Sequence, residues 1–147
     1  MKATMKHFPS SKQYQLALQT IGPTMSRGHR AMLEVLYQAC DRALTTSQLA
    51  TAAGYKGWPG ACLQFGILSK RLCEALRFVP PQTYKDGSPI WSFVLAAAPE
   101  TQTTKYWQWI MRPEAAQALA SLKWFDNSNG QRLLQIIHRS NFPTAGR

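Results

Sequence analysis

The segment "ALTTSQLATAAGYKGWPGACLQ" (Ala43 to Gln64) sets the ends and spacing of two neighbouring helices, and so constrains the fold more than any other stretch. Thr45 is a good N-cap, and Gln48 three residues on completes a capping box. Gly54 supplies the left-handed residue that closes such a helix, because it has no Cβ to clash in that conformation. A short helix over Thr46 to Ala53 follows, with Leu49 and Ala53 facing inward. After "YKGW", Pro59 sits at a favoured first-turn position, where its missing N–H has no helical partner to lose. The spacing predicts a longer helix from Pro59 to about Leu76. Its core stripe is Cys62, Phe65, Leu68 or Ser69, Leu72 and Leu76, and Gln64, Ile67, Lys70, Arg71 and Glu74 are left for the other surface.

Upstream, Ser10 or Ser11 caps a short helix with Tyr14, Leu16, Leu18 and Ile21 as apolar positions, stopped by Gly22-Pro23. A second helix begins near Ser26, with Met32, Leu33, Leu36, Tyr37 and Cys40 on one stripe and Arg27, Arg30 and Glu34 on the other face. Downstream the period changes. "RFVPPQTYKDGSPIWSFVLAAA" holds a breaker pair at Pro80-Pro81, a turn over Lys85 to Ser88, and a β-rich run from Ile90 to Leu95. That predicts a β-hairpin with an irregular first arm, since proline cannot donate to a ladder. Tyr106, Trp107, Trp109 and Ile110 suit an extended segment. Pro113 opens a helix with Glu114 in its first turn and Ala115, Ala116, Leu119 and Leu122 as its apolar stripe. Asp126 to Gly130 reads as a loop, followed by a last short helix holding Leu133, Leu134, Ile136 and Ile137. Trp91, Tyr106, Trp107, Trp109 and Trp124 are expected in the core.

With 147 residues and 45% hydrophobic side chains, the chain is long enough and apolar enough for one packed domain. Residues 1–9 are expected to be a flexible N-terminus, 10–140 a single domain and 141–147 a frayed tail. No apolar run approaches the roughly 18 residues of a membrane span, and "MKATMKHFPSSK" lacks the apolar core of a secretory signal, so no membrane partner and a cytoplasmic location are expected. Cys40, Cys62 and Cys73 fall in predicted helices without a CxxC pair, the habit of buried free thiols. With His7, His29 and His138 they give no zinc-ligand spacing, so neither metal nor cofactor is expected. Charge is the informative quantity. Lys and Arg number 17 against 7 acids, a net +10 spread from Lys2 to Arg147. A folded domain of that charge attracts polyanions, chiefly nucleic acid.

Helix, short capped helix, turn, longer helix and hairpin is the order of a winged helix-turn-helix, so the expected fold is α+β, mostly helical, with additional C-terminal helices. Thr46 to Ala53 is then the bracing helix and residues 59–76 the one that reads duplex DNA. Gln64, Ile67 and Arg71 line one of its faces; Gln bonds adenine bidentately and Arg bonds guanine or phosphate. Lys56, Lys70, Arg77 and Lys85 are the expected phosphate contacts, with Lys85 at the wing tip. Trp58 is either a cap packed on the helix start or a platform on which an exposed base stacks. Catalysis is not expected: the acids are scattered, and no phosphate-cradling glycine motif is present. Two non-enzymatic functions remain, a DNA-binding module and a protein-binding inhibitor of a nucleic-acid-handling complex. A homodimer fits either.

"LTTSQLATAAGYKGWPGACLQFGILSKRLCEAL", with "DGSPIWSFVLA" and "WQWIMRPEAAQALASLKW", resembles an accessory domain that precedes the nuclease in bacterial HNH restriction endonucleases directed at modified DNA. The likeness covers roughly Ala43 to Trp124. By position it marks Tyr55, Leu63, Gln64, Gly66, Leu68 and Arg71, then Trp109, Arg112 and Pro113. It implies nucleic-acid binding, with Arg112 added to the interface, in bacterial or phage defence or counter-defence with a nuclease or defence-complex protein as partner. The sequence departs from that pattern twice. No HNH motif follows, "HRSN" holding the only downstream histidine, and "GWPG" replaces a more polar turn.

Overall fold

The helix starts predicted from local chemistry recur in the structure, a computed structural model that describes residues 7–98 and 108–125. Helix α1 (Ser11–Ile21) begins with a reciprocal capping box between Ser10 and Gln13, and α2 (Arg27–Gln38) starts from the Ser26 hydroxyl. Strand β1 (Ala43–Thr45) runs directly into α3 (Thr46–Ala53), where Thr45 and Gln48 cap each other's backbone and Gly54 turns left-handed at φ 82°. Helix α4 (Trp58–Leu76) follows after four residues, one residue earlier than expected. Strands β2 (Ala96–Ala97) and β3 (Gln108–Met111) and helix α5 (Pro113–Leu122) complete the described elements.

The result is an α+β, mostly helical domain around a three-stranded antiparallel sheet of order β1-β3-β2. Central β3 pairs Trp109 with Leu44 on one side and Met111 with Ala96 on the other. Its burial alternates, Trp109 and Met111 inward and Gln108 and Ile110 half-exposed, as a strand with one covered face requires. Helix α4 packs against α1 and α3, and α1 also packs against α5. The core draws on every element: Tyr14, Leu18, Met32, Leu36, Leu49, Phe65, Leu68, Leu72, Leu95 and Leu119 are essentially sealed from water. The Tyr14 hydroxyl donates to the Val94 carbonyl at 2.7 Å, so this buried polar group is satisfied. Burial pushes the Tyr14 phenol well above its ordinary pKa.

Several expectations are corrected. The β-rich run Ile90 to Leu95 is not a strand; Trp91–Val94 winds into a 3-10 turn packed on α4. That turn buries Ser92, Val94 and Leu95 together, whereas an extended strand would point alternate residues to opposite faces. The Lys85 turn does form, with Tyr84 N–H donating to Ser88 O at 2.9 Å and Ile90 N–H to Gln82 O at 3.0 Å. Its arms meet at a single bridge, Thr83 to Pro89, separate from the sheet, because Pro80, Pro81 and Pro89 have no N–H to extend a ladder. The hairpin that belongs to the sheet is β2–β3. Cys40 and Cys62 are exposed and Cys73 is the buried thiol, because α4 turns its Phe65–Leu72 stripe inward and Cys62 falls off its edge. Leu16 is 54% exposed, with Ala17 taking the inward place on α1. Pro9 is buried and the Phe8 ring lies 4.9 Å from that of Phe78, so the chain is anchored ahead of Ser10. Of the aromatic cluster, Trp109 is in the core and Trp91 and Trp124 are half-buried against it. Tyr106 and Trp107 lie outside the described residues, as do the 126–130 loop, the last helix and the tail.

Candidate nucleic-acid interface

The link between α3 and α4 is only Gly54 to Gly57, and its conformation is set by hydrogen bonds. Tyr55 N–H donates to Ala50 O at 2.9 Å, which completes the left-handed closure of α3. The Tyr55 side chain then lies across Gly28 in α2; a Cβ at Gly28 would collide with the phenol ring. The two helices are thereby fixed to a third, and α4 is held with its start at the surface. Trp58, its first residue, is 59% exposed. Among the described residues no side chain caps this end of α4, and its first turn contains no acid.

The predicted interface residues divide into two groups. Gln64 is turned toward α2, where its Oε1 accepts from Nε2–H of His29 at 2.8 Å. His29 is 5% exposed, so this bond satisfies a buried imidazole on one side; its Nδ1 has no hydrogen-bond partner. Arg71 leans the same way and donates to the Thr24 carbonyl at 3.4 Å and to the Thr24 hydroxyl. Arg112 is half-buried ahead of α5, donates from Nε to Phe93 O, and stacks 3.6 Å over the Phe8 ring. Burial lowers its pKa, an effect that Tyr14 and Glu114 oppose. All three are hydrogen-bonded within the protein, Gln64 and Arg112 through part-buried bonds and Arg71 through bonds at the exposed surface.

Lys56, Lys70, Arg77 and Lys85 form the other group, and all four are exposed. Lys56 precedes α4; Lys70 reaches over Trp91, its Nζ 5.8 Å from the ring centre. Arg77 ends α4 in a left-handed conformation at φ 57°, its N–H donating to Glu74 O at 3.3 Å. Lys85 stands at the tip of the 84–88 turn, where Ser88 donates to Asp86 through both N–H and hydroxyl and holds that carboxyl below its usual range.

The positions marked by resemblance also divide. Leu68 and Trp109 are core and Pro113 opens α5. Leu63 and Gly66 lie on α4's outward side, where Leu63 is 62% and Ile67 42% exposed. His29 was missed as a functional neighbour of Gln64, although its signal was present: 29, 32, 33 and 36 continue one helical stripe. Among the described residues no three His, Cys, Asp or Glu side chains converge, and no helix is long and apolar enough to cross a membrane. No family model matches this chain, and neither does any curated protein or solved structure.

Proposed function

We propose that the protein is a non-enzymatic nucleic-acid-binding domain of winged helix-turn-helix type that grips duplex DNA through its phosphates. The order α2, β1, α3, α4, β2, β3 with strand order β1-β3-β2 supports that fold. The observation that carries the function is the division of polar groups around α4. Lys56, Lys70, Arg77 and Lys85 are exposed on a chain of net charge +10, Lys70 beside the Trp91 ring. Gln64 and Arg71, the side chains suited to base edges, are spent on His29 and Thr24. Phosphate contacts give affinity and orientation; edge contacts give sequence preference. Binding is therefore strong at low salt and nearly indifferent to sequence. Its place in defence or counter-defence rests on the sequence resemblance.

Fluorescence anisotropy with labelled duplexes tests this directly. Four phosphate contacts give a slope of log affinity against log salt of about −3 to −4, and replacing Lys56, Arg77 and Lys85 by Ala flattens it by about three units. Absence of any complex at about 50–100 mM salt defeats the proposal. A second function, inhibition of a nucleic-acid-handling protein complex by direct docking, is favoured by the exposed Trp58, Leu63 and Ile67. It predicts partner binding that persists when free nucleic acid is not bound.

A further inference from the structure

Most glycines in the described chain have a local reason. Gly54 and Gly87 have positive φ, and Gly22 and Gly28 are closed off by Trp124 and Tyr55. Gly66 has none of these reasons. It lies inside α4 in helical conformation, and beyond its own stretch of helix no atom of the described residues stands within 4 Å of where a Cβ would be. A helix-interior glycine is unfavourable relative to alanine, so the isolated fold gains nothing from it. Around it, the outward side of α4 consists of Pro59, Leu63, Ile67, Lys70 and Glu74, all exposed. That stripe is nearly neutral on a strongly basic chain.

We infer that this face binds a second copy of the same chain, α4 against α4 in antiparallel orientation across a two-fold axis. In such a pair, positions equidistant from the midpoint between residues 66 and 67 meet. Ile67 of one copy enters the gap over Gly66 of the other, a knob into a hole left open by the missing Cβ. Leu63 lies on the aliphatic stem of Lys70, and the charged end of that lysine remains in water. Glu74 comes to Pro59 at the opposite helix start. Among the described residues no side chain caps that start and its first turn holds no acid, and Lys56 stands beside it, so the exposed carboxylate meets the positive end of a helix and a cation. The stripe is thus complementary to itself in shape and in charge. This goes beyond phosphate binding and leaves Lys85 outside the paired surface, while the same register sets Lys56 opposite Arg77, a repulsion that salt screens.

Sedimentation velocity on the whole chain at micromolar concentrations tests the inference. The expected species has twice the 16.5 kDa chain mass. Because each copy carries +10, its population grows as salt rises from about 0.15 to 0.5 M, the opposite trend to nucleic-acid binding. Ile67→Glu weakens the dimer at least about tenfold with an unchanged circular dichroism spectrum. In that monomeric background Gly66→Ala raises the melting temperature by about 2–4 °C; in the natural chain it weakens the dimer. A monomer throughout the concentration range overturns the inference, as does a dimer indifferent to Ile67→Glu or, in the Ile67→Glu background, a lower melting temperature on Gly66→Ala. None of these outcomes depends on whether DNA binds.

Discussion

The two sides of α4 that flank its buried stripe follow opposite rules. Toward α2, polar groups find partners inside the protein: Gln64 on His29, Arg71 on Thr24, and nearby Tyr55 filling the space over Gly28. Toward solvent, Leu63 and Ile67 lie open around a glycine with nothing over it. One side uses its hydrogen-bonding groups inside the protein; the other gives up some helix stability at Gly66 and keeps apolar surface available. Helix periodicity alone assigns both sides to the exterior. Only the partners distinguish a polar residue that acts outward from one that acts inward.

The largest expected difference lies between the two helix glycines. Gly28→Ala displaces the Tyr55 ring and costs about 1–3 kcal/mol in chemical denaturation, opposite in sign to Gly66→Ala. Adding Tyr55→Phe removes the atom closest to the new methyl and recovers part of the loss, a coupling that a double-mutant cycle reads. Full additivity of the two changes would break the comparison on the α2 side. Next, Gln64→Ala leaves buried His29 without its one observed partner and costs about 1–2 kcal/mol. Were Gln64 instead a free reader of bases, its loss would leave the melting temperature unchanged and relax sequence preference.

The cysteines of α4 sharpen the contrast by chemistry. Cys62 is exposed and reacts with an aromatic disulfide reagent in the native protein, whereas buried Cys73 reacts only on unfolding. Burial pushes the Cys73 thiol up to about 12 from its ordinary 9.0, and the neighbouring Glu74 carboxylate acts in the same direction. The folded state then holds this proton more tightly than the unfolded state. Its stabilising effect is complete below pH 9.0 and is lost as pH rises toward about 12. Cys73→Ala therefore reduces the alkaline fall in melting temperature. The smallest effect belongs to the solvent side: Leu63→Gln changes monomer stability by no more than about 0.5 kcal/mol.

Much of the fold was legible because its signals are local. Ser10 with Gln13, Thr45 with Gln48, Gly54, Pro59 and Pro113 each act within one helical turn, and the structure has helix ends beside all of them. Signals that depend on distant chain were not legible. The run Trp91 to Val94 has strand-forming residues, yet its packing surface is α4 and its Val94 carbonyl is claimed by Tyr14. Cys62 and Cys73 both fit an apolar stripe, and only the angle at which α1 and α3 meet α4 decides which is buried. For the candidate site, residue types were readable and availability was not. Lys56, Lys70, Arg77 and Lys85 stand exposed as sequence chemistry expects. Gln64, Arg71 and Arg112 were diverted by His29, Thr24 and Phe93, residues at least 19 positions away.

The bond between Tyr14 and Val94 joins residues 80 positions apart, and α1 also rests on α5, which begins at Pro113. During synthesis α1 leaves the ribosome ahead of the other described helices and is among the last of them to find its partners. Until then its buried face, with Tyr14, Leu18 and Ile21, stays open beside a nascent α3–α4 pair. The α3–α4 pair is therefore not an autonomous fragment: it waits on α1 and α5, and α1 is the described segment a chaperone would meet first.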